Sequence, residues 1–179
     1  MRGFVVDTPR GVLTVRPVHP DEDMALVHDW MNRPHVARFW RQAWPVERLR
    51  RYLSAQLAGT ESRPMLGLLA DVPVSYWEIY RAATAPVGAT YPAAPADLGV
   101  HVLIGSEALT GNGLGATLIA AVRDGLLAEI PDCGRIVAEP DVRNVASVRA
   151  FQRAGFAHRG EITLPDKTAA LLVAERSVR

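Results

Sequence analysis

The residues best placed to do chemistry lie within 98–121, where one histidine stands in an apolar run that leads into a glycine cluster. His101 lies inside the run, and the cluster contains Gly111, Gly113 and Gly115. A strand that enters a helix through a glycine loop leaves N–H groups unpaired at the positive end of the helix dipole, which suits a phosphate or pyrophosphate. Imidazole titrates near pH ~6.5, so His101 is a candidate general base beside an anion site. Spacing alone favours the alternative, in which His101 is a hydrogen-bonded structural residue.

Two known phosphate-binding patterns can be tested against this glycine loop. A P-loop requires Lys followed by Ser or Thr after its last glycine, but Gly115 is followed by Ala116 and Thr117, which excludes it. The dinucleotide fingerprint is literally satisfied by Gly111, Gly113 and Ala116. That fingerprint normally opens a domain, however, and too few strands follow it here, so it stays only an alternative.

A second group of polar residues lies in the segment SYWEIYR at 75–81. Strand alternation places Tyr76, Glu78 and Tyr80 on one face of the sheet. A carboxylate between two phenols is suited to a cationic amine. Spacing alone favours the other interpretation, a solvated sheet face with ordinary strand aromatics.

Two further sites carry alternatives of equal weight. The segment 32–45, NRPHVARFWRQAWP, is interpreted as a loop or short helix that covers a pocket, or as core rings beneath a loop. Asp141 follows Pro140 at the end of an apparent strand, where ligands commonly bind in α/β folds. The alternative for Asp141 is an acid that interacts with the dipole of the helix capped by Asn144.

Hydrophobic periodicity and turn residues predict the elements that must position these groups. The order is strand, two helices, three strands, helix, strand, helix and two strands, with a mobile Ala- and Pro-rich loop at 82–96. The predicted strands cover 12–18, 65–70, 74–81, 98–104, 135–139, 156–164 and 168–174. Helical patterns begin at 19, 46 and 145, and a further apolar helical pattern follows the glycine cluster at 111–115. We therefore expect one α/β (α+β) domain over 1–179, with a mixed, mostly antiparallel sheet of about seven strands and about four helices.

Composition excludes several classes of function. The net charge is +1 with 22% charged residues, which gives no basic surface for nucleic acid. No apolar run approaches the ~20 residues of a membrane span, and the N-terminus lacks a signal-peptide pattern. Cys133 is the only cysteine, and the five histidines show no ligand spacing, so we expect no disulfide, no metal and a cytoplasmic location.

Two motifs at matching separation resemble the GNAT N-acetyltransferase superfamily. Thr110, Gly113 and Gly115 fit its pyrophosphate loop, Gln/Arg-x-x-Gly-x-Gly/Ala, although Thr110 replaces the usual Gln or Arg. The segment 144–156, NVASVRAFQRAGF, is similar to the superfamily's second signature, an Asn-led helix ending in Gly-Phe. The resemblance covers nearly the whole chain and implies the GNAT fold with acetyl-CoA or another acyl-CoA as co-substrate. It implies CoA contacts from Leu103, Ile104, Thr110, Gly111, Asn112, Gly113, Leu114, Gly115, Ala116 and Asn144.

Five segments resemble, more narrowly, the siderophore-biosynthetic acyltransferases. They are WMNRPHVARFW, SYWEIYR, HVLIG, EPDVRN and LPDKTAALL, which begin at residues 30, 75, 101, 139 and 164. These enzymes acylate the N-hydroxylated side-chain amine of lysine or ornithine, or a related hydroxylamine. Aminoglycoside 6'-N-acetyltransferases share the Trp-x-x-x-Pro-His-Val opening and are the alternative. A catalytically silent acyl-CoA-binding module is a third hypothesis, and the resemblance leaves monomer or homodimer open.

The resemblance also implies roles for individual residues. His101 occupies the position of the family's proposed general base, and Asp141 would orient the acceptor or assist the base. Many members carry a tyrosine as general acid in the later helix, but here Phe151 and Arg149 stand nearby. Lys167 is interpreted as a solvated turn lysine, with a carboxylate or phosphate as the alternative partner. The expected acceptor-side residues are His35, Trp40, Tyr76, Glu78 and Tyr80.

Overall fold

Eight strands form the single sheet in the computed structural model, which describes residues 2–176. The strands are β1 (Phe4–Thr8), β2 (Gly11–Pro17), β3 (Ser62–Leu69), β4 (Val72–Arg81), β5 (Leu98–Ile104), β6 (Arg135–Ala138), β7 (Ala157–Leu164) and β8 (Lys167–Glu175). Their order is β1-β2-β3-β4-β5-β6-β8-β7, and every neighbouring pair is antiparallel except β5 and β6. The expected mixed, mostly antiparallel sheet is confirmed.

Five α-helices cover the two faces of this sheet. They are α1 (Pro20–Asn32), α2 (Pro34–Trp40), α3 (Val46–Ala58), α4 (Leu114–Glu129) and α5 (Val145–Arg153). On one face Trp77 and Ile79 share a core with α4 and α5. On the other face Tyr76 packs in a second core with α1 and α3. Alternation along β4 therefore assigns its aromatic side chains to opposite layers, as the sequence pattern predicts.

Three sequence expectations need correction. The sheet has an eighth strand, β1, because an edge strand with only Phe4 buried carries almost no alternation signal. The aromatic segment 32–45, interpreted as a loop or short helix, contains the short helix α2, so residues 2–176 hold five α-helices rather than about four. The loop 82–96, expected to be mobile, holds two short 3₁₀ turns, and Asp97 ties it down by accepting hydrogen bonds from Tyr91 and the backbone N–H of Ala94.

The sheet opens between β5 and β6, and this opening positions the site. The two strands pair only at Leu98 with Ile136 and at Gly99 with Val137 among the described residues, while β5 continues to Ile104. The edge of β5 that faces β6 is therefore unpaired along its second half. In residues 2–176 no helix is long and apolar enough to cross a membrane.

Candidate active site

Strand register brings three titratable side chains together beside the opening. Glu78 on β4 lies directly opposite His101 on β5, so the two side chains share one face. The parallel pairing of Gly99 with Val137 places Glu139, two residues further along, level with His101. The imidazole Nε2 of His101 is 2.6 Å from Glu139 Oε1, and its Nδ1 is 3.4 Å from Glu78 Oε2. We refer to Glu78, His101 and Glu139 as the acid–histidine cluster.

Tyrosine hydroxyls hold both carboxylates of the cluster. Tyr52 and Tyr76 donate to Glu78 Oε1 at 3.0 and 3.2 Å, and Tyr80 donates to Glu139 Oε2 at 2.6 Å. Glu78 and Glu139 are only 5% and 6% exposed. The sequence interpretation of this sheet face as solvated is therefore wrong, because the carboxylates are buried and stabilised by charge-assisted hydrogen bonds.

The two carboxylates keep a proton on His101. Burial lowers the pKa of His101, but the charge and hydrogen bond of Glu139, followed by Glu78, outweigh burial and raise it to about 10. Burial raises the pKa of Glu139, and the charge and hydrogen bond of His101 more than reverse this, so the pKa of Glu139 is lowered. The expectation of an imidazole with an ordinary pKa needs correction: at neutral pH the cluster consists of an imidazolium between two carboxylates.

A cavity of about 610 Å³ lies over the cluster and has the size of a small-molecule site. Its floor includes Glu78, Tyr80, His101 and Glu139. One wall comes from α3, β3 and the loop after β4, and the opposite wall is the β7–β8 turn. The wall residues are Tyr52, Gln56, Glu61, Ser62, Arg81, Thr84, Ala85, Pro86, Val87, Leu164, Pro165, Asp166 and Lys167. Side chains of both charges therefore surround the position that an acceptor would occupy.

The unpaired edge of β5 supplies the second half of the site. Gly105 donates its N–H to the carbonyl of Val74 on β4, so alternation turns the N–H of Leu103 toward β4 and that of Ile104 toward the opening. Of the two residues expected to polarise a thioester, Ile104 has the appropriate orientation. His35 on α2 donates from Nε2 to the carbonyl of Ile104 at 3.0 Å, which fixes this end of the strand.

The glycine loop that the sequence predicts forms a left-handed turn before α4. Gly111 and Gly113 have φ of 75° and 87°, values at which a side chain is strained. The Asn112 side chain accepts from the N–H of Leu114 at 3.1 Å. The N–H groups of Gly115 and Ala116 have no protein acceptor among the described residues, which leaves them free for an anion at the positive end of α4.

The flanks of this loop show what holds it in place. Thr110, which replaces the usual Gln or Arg, donates its hydroxyl to the carbonyl of Glu107 at 2.7 Å and so closes a local turn. Asn144 caps α5 by accepting from the N–H of Ser147 at 3.2 Å, as predicted. A Cβ added at Gly115 would lie 3.8 Å from Ala150, so α5 packs next to the loop.

Asp141 does not join the acid–histidine cluster. Arg143 donates to both of its oxygens at 2.9 and 2.6 Å, and Arg41 lies 3.6 Å away. The hydrogen bond from Arg143 is the main cause that lowers the pKa of Asp141 to about 2. Asp141 does not line the cavity, and its side-chain partners among residues 2–176 are Arg143 and Arg41 rather than His101.

The expected acceptor-side residues separate into three groups. Glu78 and Tyr80 line the cavity. Tyr76 is fully buried beneath it, and Trp40 packs edge-on against Tyr76 and against His101, with ring centroids 5.6 and 6.1 Å apart. His35 instead contacts the carbonyl of Ile104 at the end of β5, and it does not line the cavity.

Two residues of the site were not predicted from the sequence. Glu139 begins the motif EPDVRN but was given no role, and Tyr52 was not among the expected site residues. Glu139 accepts a hydrogen bond from His101, and Tyr52 donates one to Glu78. An acidic residue at the end of the strand parallel to the histidine strand was the available signal for Glu139. Tyr52 lies on a helix 26 positions from Glu78, and nothing local marks it.

The fold and the site now allow a comparison with known proteins. The family model described as acetyltransferase (GNAT) domain matches residues 19–164. The chain therefore belongs to the GNAT acetyltransferase family, which the fold, the opening beside β5 and the glycine loop also define. Within that family it is an acyl-CoA-dependent N-acyltransferase, and its similarity to relatives of the siderophore-associated branch is confirmed.

Three known proteins illustrate this similarity. Lysine N-acyltransferase MbtK of Mycobacterium sp. (strain MCS) is 36% identical over 163 residues, which cover 91% of this chain and 67% of the relative. N(6)-hydroxylysine O-acetyltransferase of Escherichia coli is 33% identical over 93% of this chain but only 53% of the relative. A crystal structure of aminoglycoside acetyltransferase AAC(6')-Ib with coenzyme A and kanamycin has a TM-score of 0.82 and 28% identity, covering 92% of this chain and 95% of that chain.

Proposed function

We propose that this protein transfers an acyl group from acyl-CoA to the N-hydroxylated side-chain amine of lysine, ornithine or a related hydroxydiamine, in hydroxamate siderophore biosynthesis. The observation that carries the proposal is the acid–histidine cluster at the base of a 610 Å³ cavity, next to an open strand edge and a glycine loop. Transfer is direct: the acceptor nitrogen attacks the thioester carbon, the C–S bond breaks, and the nitrogen loses one proton. The reaction takes place in the cytoplasm, where acyl-CoA is available.

His101 receives this proton as general base. Its side chain is 35% exposed, whereas those of Glu78 and Glu139 are 6% and 7% exposed, so the imidazole is the most accessible member of the cluster. Only the neutral imidazole can accept a proton, so transfer proceeds from the neutral fraction of His101, which increases as pH rises toward its pKa of about 10. An N-hydroxyl substituent lowers the basicity of an amine, so a hydroxylamine reaches this site already uncharged.

Backbone N–H groups position the acyl donor. The N–H of Ile104 at the open edge of β5 is directed to polarise the thioester carbonyl. The free N–H groups of Gly115 and Ala116 bind the pyrophosphate, and the N-terminus of α5 at Asn144 flanks the same arm. Phe151 is buried in the core, so water rather than a tyrosine protonates the leaving thiolate.

The second candidate function is aminoglycoside 6'-N-acetylation, which the similarity to AAC(6')-Ib favours. A polycationic sugar needs several unpaired carboxylates. Among residues 2–176, four acidic residues line the cavity, and each already has a partner. Glu78 and Glu139 accept hydrogen bonds from tyrosines, Glu61 accepts from the hydroxyls of Thr60 and Thr84, and Asp166 lies 3.7 Å from Arg41. Because few acidic oxygens remain for ammonium groups, the hydroxylamine acceptor is the better match.

One experiment separates these functions. Purified protein is assayed for release of free CoA with acetyl-, succinyl- and longer acyl-CoAs against N6-hydroxylysine, N5-hydroxyornithine, N-hydroxycadaverine and kanamycin. We expect a hydroxylamine to exceed kanamycin in kcat/KM by at least about 100-fold. Preferential turnover of kanamycin contradicts the proposal, and binding of CoA without turnover of any acceptor supports a silent binding module.

A further inference from the structure

The chain contains a single lysine. Of its 20 Lys and Arg residues, 19 are arginine and the exception is Lys167. Lysine differs from arginine in presenting a compact ammonium on a flexible stem, which binds an anion as a point charge without the planar geometry of a guanidinium. Lys167 is therefore the one lysine side chain that can bind an anion in this way.

Lys167 begins β8 at the β7–β8 turn and lines the cavity that His101 and Glu139 also line. The residue is half-buried and lies at the cavity wall, beside the turn in which the sequence predicts it. Its charge contributes to lowering the pKa of Glu139. Its ammonium forms no hydrogen bond and no ion pair with the residues described in the structure.

The neighbouring acids already have other partners. Glu139 accepts from His101 at one oxygen and from Tyr80 at the other. Asp166, beside Lys167, lies 3.7 Å from Arg41, which also donates to its backbone carbonyl at 2.7 Å. An ammonium at the cavity wall whose nearby acids are occupied is available to an anion on the ligand.

Arg41 also holds the turn that carries this ammonium. It extends from the end of α2, where its φ is 58°, to Asp166 in the turn and to Asp141 beyond β6. Backbone bonds from Val142 to Thr168 and from Ala170 to Pro140 fasten the same strand end. The ammonium therefore projects from a braced turn rather than from a free loop.

We propose that Lys167 binds the α-carboxylate of the acceptor and thereby selects a hydroxylated amino acid over a decarboxylated diamine. This inference rests on the proposed function, which leaves that choice open. The acceptor's reactive nitrogen meets His101 on the cavity floor, and its α-carboxylate pairs with the ammonium on the β7–β8 wall. N-hydroxycadaverine has the same reactive end as N6-hydroxylysine and no carboxylate, so it cannot form this pair.

The kinetic test compares wild type, Lys167→Met and Lys167→Arg on these two acceptors with acetyl-CoA. Loss of a charge-assisted hydrogen bond is worth about 10- to 100-fold, so we expect Lys167→Met to lower kcat/KM for N6-hydroxylysine by that factor, mainly through KM. Turnover of N-hydroxycadaverine should change less than about twofold, and Lys167→Arg should restore much of the loss. Equal losses on both acceptors overturn the proposal. So does a loss that appears only with succinyl-CoA, because the ammonium would then bind the acyl chain.

A second test measures binding to the native protein and does not depend on turnover. Reductive ¹³C-methylation of the native protein labels one side-chain amine and retains its charge, and the Lys167→Met protein identifies the signal. We expect N6-hydroxylysine to shift the dimethyl-lysine resonance to saturation and N-hydroxycadaverine to leave it unmoved. If neither hydroxylamine is turned over, the proposed function fails while this shift still decides the carboxylate site. Equal shifts, or none, overturn the site itself.

Discussion

Glu139→Gln is the substitution that tests the acid–histidine cluster most directly. It removes a charge and retains the shape of a side chain 2.6 Å from the imidazole of His101. The pKa of His101 is about 10, and Glu139 is the larger of the two carboxylate contributions, since Glu78 is 3.4 Å away. Removing one close opposite charge with its hydrogen bond changes a pKa by about 1–3 units. We expect the pKa of His101 to fall by about two units.

The assay is the pH profile of kcat/KM, which reports groups of the free enzyme. If neutral His101 is the base, the rising limb of the kcat/KM profile lies about two pH units lower in Glu139→Gln than in wild type. The neutral fraction near pH 7 then increases about 100-fold, partly offset by a weaker base, so the position of the limb is more informative than one rate. Glu175→Gln, which removes an exposed carboxylate paired with Arg159, is the matched control and should leave the limb in place.

An NMR titration of His101 measures the same pKa without turnover. If the rising limb of the kcat/KM profile and the NMR pKa of Glu139→Gln both stay within about 0.3 pH units of wild type, Glu139 is not the cause of the raised pKa of His101. If the NMR pKa falls and the limb does not move, His101 is not the group whose deprotonation limits catalysis. The two measurements thus separate the electrostatic argument from the catalytic one.

The same raised pKa predicts how stability depends on pH. Because the folded pKa of His101 exceeds its ordinary value of 6.5, the associated stability is fully present below about pH 6.5 and is lost as pH rises toward 10. The full shift corresponds to about 5 kcal/mol, but water reaches the exposed third of the side chain, so we expect on the order of 1–2 kcal/mol. Urea unfolding at pH 6 and pH 9.5 should show this loss in wild type and much less of it in Glu139→Gln.

Three further predictions follow from the site. His101→Ala should lower turnover by about 100-fold or more while CoA still binds by calorimetry; unchanged turnover would remove His101 from the chemistry. Gly113→Ala, at φ 87°, should weaken CoA binding at least about tenfold, whereas Gly134→Ala, with open space around its Cβ and an ordinary φ, should not. Asp141→Asn should lower Tm at pH 7 with turnover reduced less than about tenfold, because the lowered pKa of Asp141 stabilises the fold above pH ~3.8 and ceases to do so as pH falls through about 2. A 100-fold loss of turnover in Asp141→Asn would instead support a catalytic role.

Elements with a local signal were predicted well from the sequence. The bounds of β5 at 98–104 and of α3 at 46–58 are confirmed, because apolar periodicity and a following glycine or loop residue mark both ends. The left-handed glycines before α4 and the cap at Asn144 are likewise local features. Edge strand β1 was missed, and the short helix α2 was not distinguished from a loop, since each buries too little of its own surface to leave a pattern.

The sequence by itself thus determined the family, the order of elements, the glycine loop and the candidate base His101, because each depends on residues close together in the chain. Only the tertiary structure decided the chemistry of that histidine. Glu78 and Glu139 lie 23 and 38 positions from His101 and reach it through the register of two different strand pairs. A pKa depends on the charges and the burial around a group, and neither is encoded at its own position.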